Sequence, residues 1–331
     1  MKLYSILLCL TLPVASMAQT TVFSDNFNSG STVDAVPVAP TPTSASYEAF
    51  GSSASGAASL TVGDLRINST TAAAYFGEIE AVFASSPITL TNTGDSLNLR
   101  IVFTGSNILS GTASNSSLCV GLFNSGGSLP AQGYKVTSGT TGAPVTGFAQ
   151  NWVGYIGQAF ANSNSRVITR PPQTTGSTGQ TQDVLFSGAS GSTSFNSPTG
   201  TTMSLASSGS TNLALAAPTL LTVDYTASIS GSSTLALDYI IYSGSGISGT
   251  QLFSRHAETT LVTGTNTYQG TTFDSLGLGW RQNNGSLSSS LDINSVAVTL
   301  TSVPEPTTVA MMAGGIGLFF GIERLVKRRR G

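Results

Sequence analysis

The sequence predicts an all-β protein whose main part is a single β-sandwich. Short runs of alternating apolar residues are separated by clusters of Gly, Ser, Asn and Pro along most of the chain, a spacing typical of sandwiches and barrels. Between the two chain ends the sequence contains no convincing amphipathic helix and no repeat at solenoid or propeller periods. One domain of roughly 280 residues is therefore expected.

The clearest strand runs from Ser96 to Thr104. Its odd positions are Leu, Leu, Ile and Phe, and its even positions are mostly polar, so a period of two places the apolar set on a core. The other strands expected from the same pattern are Thr21 to Phe27, Leu60 to Ile67, Tyr75 to Phe83, Ile88 to Thr91, Leu118 to Phe123, Trp152 to Phe160, Arg166 to Thr169, Val184 to Phe186, Thr202 to Leu205, Leu220 to Thr226, Thr234 to Tyr242, Gln251 to Arg255, Gly277 to Arg281 and Ile293 to Thr301.

Turn residues separate several of these predicted strands. Asn92-Thr93-Gly94-Asp95 supplies residues that tolerate positive φ, and Ser230-Gly231-Ser232 predicts a hairpin between two of the longest strands. Asp34 to Ser46 and Pro171 to Gln180 are predicted to be loops.

Charge is scarce and mildly negative. Charged residues make up 8% of the chain, against roughly 25% in ordinary soluble domains. Without the two terminal segments described next, 13 acidic and 7 basic residues remain, a net charge of about −6. The absence of a basic patch in the sequence makes nucleic acid an implausible partner.

The N-terminus has the pattern of a secretory signal peptide. Lys2 is followed by an apolar run from Leu3 to Val14, and Ser16-Met17-Ala18 resembles an A-x-A cleavage site. Residues 1–18 are therefore expected to be removed on export, which leaves Cys119 as the one cysteine of the mature chain. Because it lies in an apolar run, Cys119 is predicted to be a buried, inert thiol.

The C-terminus, residues 303–331, combines a rigid turn, an uncharged apolar stretch and a cationic end. Val309 to Ile322 carries no charge, and as a helix its 14 residues would rise about 21 Å, so flanking residues must extend it to span a membrane. The basic residues that follow predict a cytoplasmic C-terminus. They are Lys327, Arg328, Arg329 and Arg330.

This tail resembles the PEP-CTERM sorting signal of Gram-negative bacteria. The resemblance rests on Pro304, Glu305 and Pro306, then the apolar stretch, then the basic cluster, in that order at the chain end. It implies that an exosortase is a partner, that the chain is first anchored in the inner membrane, and that the producing bacterium makes extracellular polysaccharide. Residues 19–302 are left as the β-sandwich domain.

A looser resemblance links that domain to jelly rolls of the concanavalin and laminin-G type. It is carried by Phe23 to Phe27 near one end, and by Gly277 to Val298 with Trp280 near the other. The resemblance implies a jelly-roll-like β-sandwich in which the first and last strands pair. Calcium is common in such folds, and oxygen ligands from Asp25, Asn26, Asn28, Asp292 and Asn294 would then come together.

Glu78 and Glu80 are the strongest candidates for catalysis. At i and i+2 on a strand they project from one face, and a retaining glycosidase needs two carboxylates about 5 Å apart. Jelly-roll glycosidases that resemble this fold carry a third carboxylate three positions on, where this chain has Phe83. The alternative interpretation is a solvent-facing strand edge kept from pairing by charge.

Other residues offer weaker chemistry. Trp152 and Tyr155 are the leading candidates for an aromatic platform that contacts a glycan, with Tyr134, Tyr268 and Trp280 as further aromatics; core positions are the alternative for both tryptophans. The one histidine, His256, lacks the nucleophile motif of a Ser-His-Asp hydrolase. No cofactor is expected apart from the calcium that the resemblance raises.

These observations favour an exported, non-catalytic cell-surface or extracellular-matrix protein that contacts exopolysaccharide and is sorted to the envelope or released. The alternative is a polysaccharide-cleaving enzyme of the glycoside hydrolase type that uses Glu78 and Glu80. A purely structural sandwich without a ligand is the third hypothesis.

Overall fold

The computed structural model describes residues 17–28, 47–51, 56–61, 63–69, 75–109, 117–127, 152–160, 165–170, 185–186, 201–202, 204–207, 213, 217–261, 270–282 and 289–304. These residues form strands and turns with no helix. The strands in chain order are β1 (Ala18–Asp25), β2 (Tyr47–Gly51), β3 (Gly56–Thr61), β4 (Asp64–Ser69), β5 (Tyr75–Val82), β6 (Ile88–Thr89), β7 (Ser96–Ser106), β8 (Ser117–Asn124), β9 (Val153–Phe160), β10 (Arg166–Arg170), β11 (Thr201–Thr202), β12 (Ser204–Ser207), β13 (Thr219–Gly231), β14 (Thr234–Ser243), β15 (Gln251–Thr260), β16 (Thr272–Phe273), β17 (Ser275–Gln282) and β18 (Ser289–Ser302).

Two antiparallel sheets stack as a sandwich, so the predicted fold class is confirmed. Sheet A has nine strands in the order β12-β15-β14-β13-β7-β18-β4-β3, with β1 also paired to β18. Sheet B has seven strands in the order β11-β10-β9-β8-β17-β5-β2. The strands β6 and β16 form a separate pair.

The first and last described strands pair, as the jelly-roll resemblance implied. Gln19 lies opposite Thr301 and Asp25 lies opposite Val296. Strand β18 also pairs with β7 along most of its length and with β4 near its start. The two ends of the sandwich domain therefore leave the same end of sheet A.

The main core lies between the two sheets and follows the alternation in the sequence. Leu97, Leu99, Ile101 and Phe103 of β7 are all fully buried, and they share one cluster with Leu118, Val120 and Leu122 of β8. Burying a side chain of this size contributes about 1.5–3 kcal/mol each. The apolar residues at every second position of a strand thus form the core between the two sheets.

A second, smaller core covers the other face of sheet B. Its members come from β5, β8, β9, β10 and the two turn segments that contain Trp152 and Leu185-Phe186; they are Val82, Cys119, Phe123, Trp152, Ile156, Ile168, Leu185 and Phe186. Sheet B is therefore buried on both faces, which explains the nearly continuous burial along β8 and β9. In sheet A, the outward side chains of β7, β13, β14 and β15 are mostly half-exposed.

Some predicted elements differ from the observed ones. The run from Leu60 to Ile67 contains two strands, β3 and β4, because Gly63 at φ 89° turns the chain back between them. Leu185 and Phe186 form a turn rather than a strand, and β2 was not predicted. The loops predicted at 34–46 and 171–180 lie outside the described residues.

Gly94 adopts φ 96°, as the predicted turn at 92–95 requires, and the hairpin around Gly231 joins β13 to β14. No helix among the described residues has the length and apolarity needed to cross a membrane. The predicted signal peptide up to Ser16, and the predicted sorting tail from Glu305 with Pro306 and its basic cluster, lie outside the described residues. Pro304 is the last residue described.

Candidate functional site

Glu78 and Glu80 lie on the outer side of sheet B, beneath the second core. Both side chains are fully buried. Their strand, β5, is flanked by β17 and β2, so it is not an edge strand. The residues between and beside them, Ile79 and Ala81, point into the main core, which confirms that the two carboxyl groups share one face.

The segment Leu185-Phe186 closes this face. The backbone N–H groups of both residues donate to the carboxylate of Glu78, at 2.9 Å to Oε1 and 3.4 Å to Oε2. Gly277 of β17 leaves the space that this cover needs, since a Cβ there would lie 2.8 Å from Leu185 Cδ1 and 3.1 Å from Phe186 Cζ. The carboxylate therefore serves as the acceptor that fixes a chain crossing over the sheet.

Arg170 supports the same segment from the other side. It is 1% exposed, its Nε donates to the carbonyl of Leu185 at 3.1 Å, and its Nη1 donates to the carbonyl of Trp152. Its positive charge also acts on Glu78. A buried cation, a buried carboxylate and two backbone crossings thus form one connected polar cluster.

Burial raises the pKa of Glu78 from its ordinary 4.5 to about 7. Three effects oppose this rise: the hydrogen bond with Glu80, the two backbone N–H donors, and the charge of Arg170. Two carboxyl groups that are hydrogen-bonded in a buried site hold a proton between them more readily than two solvated ones. Near neutral pH the pair carries less than its full negative charge.

The structure corrects the edge interpretation of this pair. Both carboxyl groups are buried on a strand that is paired on both sides, and not on a solvent-facing edge. Leu185 and Phe186 come more than a hundred residues after Glu78 in the chain and exclude solvent from it. Among the described residues, the pair therefore belongs to a buried polar cluster.

Trp152 and Tyr155 are both fully buried, so neither presents a ring face to a glycan. Trp152 packs 6.2 Å from Phe123 between ring centroids in the second core. Tyr155 lies between the sheets, where its hydroxyl donates to the carbonyl of Gly270 at 2.9 Å. Trp280 is buried in the main core, while Tyr134 and Tyr268 lie outside the described residues.

Of the predicted calcium ligands, Asp25, Asp292 and Asn294 lie on the paired strands β1 and β18, and each has another contact. Asp25 accepts a hydrogen bond from the backbone N–H of Phe27 at 2.8 Å, which is the Asx-turn alternative. Asp292 forms a two-pronged ion pair with Arg66, at 2.6 and 3.0 Å, and Asn294 donates to Asp64. Among the described residues no His, Cys, Asp or Glu cluster is arranged to hold a metal ion.

Cys119 is fully buried, and burial raises the pKa of its thiol to about 12. This result confirms the inert thiol that its apolar surroundings predicted. His256 lies on β15 opposite Asp238, and its Nδ1 is 2.7 Å from Asp238 Oδ1. The hydrogen bond to Asp238 is the largest of the effects that raise the pKa of His256 above 6.5.

The half-exposed side of sheet A carries a regular set of polar groups, which we call the open face. It consists of outward side chains on four adjacent strands, β7, β13, β14 and β15; they are Asn98, Arg100, Asp224, Thr226, Asp238, Ile240, Tyr242 and His256. All of them are half-buried. Their inward neighbours, such as Leu99, Tyr225, Tyr239 and Ala257, are fully buried.

Hydrogen bonds fix the polar groups of the open face in rows. In one row Asn98 donates to Thr226 at 2.7 Å, and Asp238 contacts His256 at the same distance. In the next row Arg100 donates to Asp224 through two nitrogens, at 3.1 and 3.0 Å. The side chains are thus held in place before any ligand arrives, and their charges are nearly balanced.

Tyr242 lies two residues beyond Ile240 on β14, opposite Thr222 of β13. It is the one aromatic side chain among the eight residues of the open face, and it is half-buried. Tyr242 was not among the aromatic residues predicted to contact a glycan, although the alternation Ala236, Asp238, Ile240, Tyr242 is present in the sequence. The face combines planar polar groups with one partly exposed ring.

The chain is similar to solved structures of lectin domains at low identity. Peanut lectin with a nonapeptide matches at 11% identity and TM-score 0.41, covering 87% of this chain and 100% of that one. The potassium-bound Emp46p carbohydrate recognition domain matches at 9% and 0.39, covering 83% and 97%. Lectin II from Ulex europaeus matches at 11% and 0.37, covering 78% and 93%.

No protein-family model matches the chain. No curated protein matches it significantly either. The ligands of the lectins are properties of those proteins and are not carried over to this chain.

Proposed function

We propose that the chain is an exported, non-catalytic cell-surface or matrix protein whose open face contacts extracellular polysaccharide. The observation that supports this function is the hydrogen-bonded array of Asn98, Thr226, Asp238 and His256 beside Arg100–Asp224, held half-exposed on a rigid sheet. Polysaccharide presents hydroxyl groups and apolar ring faces, which planar polar side chains and an aromatic ring recognise. Fixing those side chains in advance lowers the entropy lost on binding.

Sorting is the second part of the proposal. The signal-peptide pattern and the Pro304-Glu305-Pro306 tail support export, a first anchoring in the inner membrane with the C-terminus in the cytoplasm, and processing by an exosortase. Replacing Arg328, Arg329 and Arg330 with Ser should reduce retention in the membrane fraction, because the cationic end opposes translocation. Unchanged fractionation of that variant would contradict the anchor.

The binding experiment uses the full chain in detergent micelles and the producing cells' own extracellular polysaccharide. We expect retention of the protein on the polymer without the release of new reducing ends. Tyr242→Ala should weaken retention about tenfold, the loss expected for one aromatic contact, whereas Tyr242→Phe should keep most of it. Ser86→Ala, in an exposed turn away from the open face, is the control.

The same binding experiment also tests the hydrolase alternative. It draws on one observation, the pKa of about 7 at Glu78 beside Glu80, which suits an acid catalyst. New reducing ends that disappear in Glu80→Gln would overturn the non-catalytic function. Retention that is equal in Tyr242→Ala and the unmodified chain would remove the open face as the contact surface.

A further inference from the structure

The sandwich domain holds Val303, the residue that directly precedes the Pro-Glu-Pro motif, by a hydrogen bond. The ladder of β18 ends with Thr301 opposite Ser96 and with Ser302 opposite Ala18. The next residue, Val303, has no strand partner in these ladders. Its backbone N–H instead donates to Asp95 Oδ1 at 2.9 Å, so a side chain continues the hydrogen bonding by one residue.

Asp95 is well placed for this role because it is itself fixed. Only 5% of its surface is exposed, and its second oxygen, Oδ2, accepts from the backbone N–H groups of Thr91 and Asn92 at 3.0 and 2.8 Å. The backbone of the same turn is bonded to β13, with Gly94 N–H donating to Ile229 at 2.8 Å and Ile229 N–H donating to Asp95 at 3.0 Å.

Gly94 leaves the space into which the side chain of Val303 packs. A Cβ at position 94 would lie 2.8 Å from Val303 Cγ2, and the positive φ of this residue also favours glycine. The valine side chain therefore packs directly on the turn while its N–H is held by the neighbouring carboxylate. Pro304 follows and has no N–H to donate, so Val303 is the last residue that this turn can hold through a backbone donor.

We propose that Asp95 and Gly94 form an exit lock that sets the C-terminal boundary of the protected domain at Val303. Proteolytic removal of the tail is then confined to peptide bonds after Val303. Identifying the processing enzyme as an exosortase rests on the proposed function; the position of the boundary does not.

The lock also limits how far the domain can stand from the membrane. Five residues, at positions 304–308, separate Val303 from the apolar stretch that begins at Val309. Fully extended, they span at most about 18 Å. While the tail is intact, Val303 and the turn that contains Asp95 would therefore stay close to the apolar stretch.

The test is hydrogen exchange and limited proteolysis on the full chain in detergent micelles, with fragment ends read by mass spectrometry. In the unmodified chain, the hydrogen-exchange rate of the Val303 amide should be at least about ten times lower than that of an unprotected amide, because it donates to a buried carboxylate. Fragments made by a broad-specificity protease should end at Val303 or later.

Two variants separate the lock from general stability. Asp95→Ala removes the acceptor and should move fragment ends into β18. Val303→Pro removes one N–H and leaves the turn intact, and it should do the same, whereas Val303→Ala keeps the N–H and the boundary. A boundary that lies before Val303 in the unmodified chain, or that stays unchanged in both Asp95→Ala and Val303→Pro, would overturn the proposal. Failure of the sorting function would instead appear in cell fractionation, with the boundary still at Val303.

Discussion

The backbone N–H of Leu185 donates a 2.9 Å hydrogen bond to the carboxylate of Glu78, which lies 107 residues earlier in the chain. This bond joins two parts of the molecule that no local pattern connects. It fixes the cover of sheet B, and the burial that results raises the pKa of Glu78 to about 7. The first prediction follows from this shift.

Stability should fall as the pH rises through neutrality because of Glu78. A folded-state pKa above the ordinary 4.5 means that its contribution is fully present below pH 4.5 and is lost as the pH rises through about 7. Glu78→Gln should flatten this part of the profile. Urea unfolding at several pH values measures it, and Ser86→Ala, at an exposed position without a titratable group, is the control. An unchanged profile in Glu78→Gln would contradict the assignment.

Arg170 should be coupled to Glu78. Arg170→Met removes two donors to backbone carbonyls and the buried positive charge, and it should lower the free energy of unfolding by about 3–5 kcal/mol. In a background that carries Glu78→Gln the same change should cost less, because the uncompensated carboxylate is gone. A double-mutant cycle by chemical denaturation measures the difference; strictly additive losses would show that the two groups are independent.

Replacing glycine with alanine should change the stability of the domain at one position and leave it nearly unchanged at another. A Cβ at Gly154 would lie 2.2 Å from the backbone oxygen of Leu122, and backbone in a sheet cannot move aside easily. Gly154→Ala should therefore destabilise the domain by about 2 kcal/mol or more. Gly246→Ala meets no atom within 4 Å and should be nearly neutral in thermal unfolding. Equal melting temperatures for the two variants would contradict the packing described for β8 and β9.

His256 should titrate above 6.5. Because the chain has one histidine, its NMR signal is unambiguous. Asp238→Asn should bring the pKa down towards 6.5, since the hydrogen bond to Asp238 is the main cause of the rise. Glu258→Gln should have the smaller effect, because Glu258 Oε1 is 3.6 Å from Nε2. The protonated form adds stability that is present below pH 6.5 and lost as the pH rises through the folded value. A larger response to Glu258→Gln would reverse the order of the two partners.

The fold could be predicted from local pattern where one face is buried and the other is wet. Strand β7 and the β13–β14 hairpin show this alternation, and their predicted positions agree with the structure. The prediction was wrong between Leu60 and Ile67, because one glycine with positive φ turns an apparently continuous run into a hairpin. Strand β2 was missed because its short sequence has a weak alternation.

The candidate site was harder to predict, because exposure is decided by distant segments. Spacing alone correctly placed Glu78 and Glu80 on one face, but only the later Leu185-Phe186 segment determines that this face is covered. Trp152 is buried for the same reason. Asp95 looks like an ordinary turn residue in the sequence, and its contact with Val303 bridges 208 positions.

The position of β18 has a mechanical consequence. This strand is held along its length by β7 on one side and by β1 and β4 on the other. With the tail fixed in a membrane and the open face fixed to a polymer, tension would act along β18. Such a load shears many ladder hydrogen bonds at once instead of opening them one by one. Under the proposed function, the domain would therefore carry tensile load between membrane and polymer through a strand that is paired on both sides.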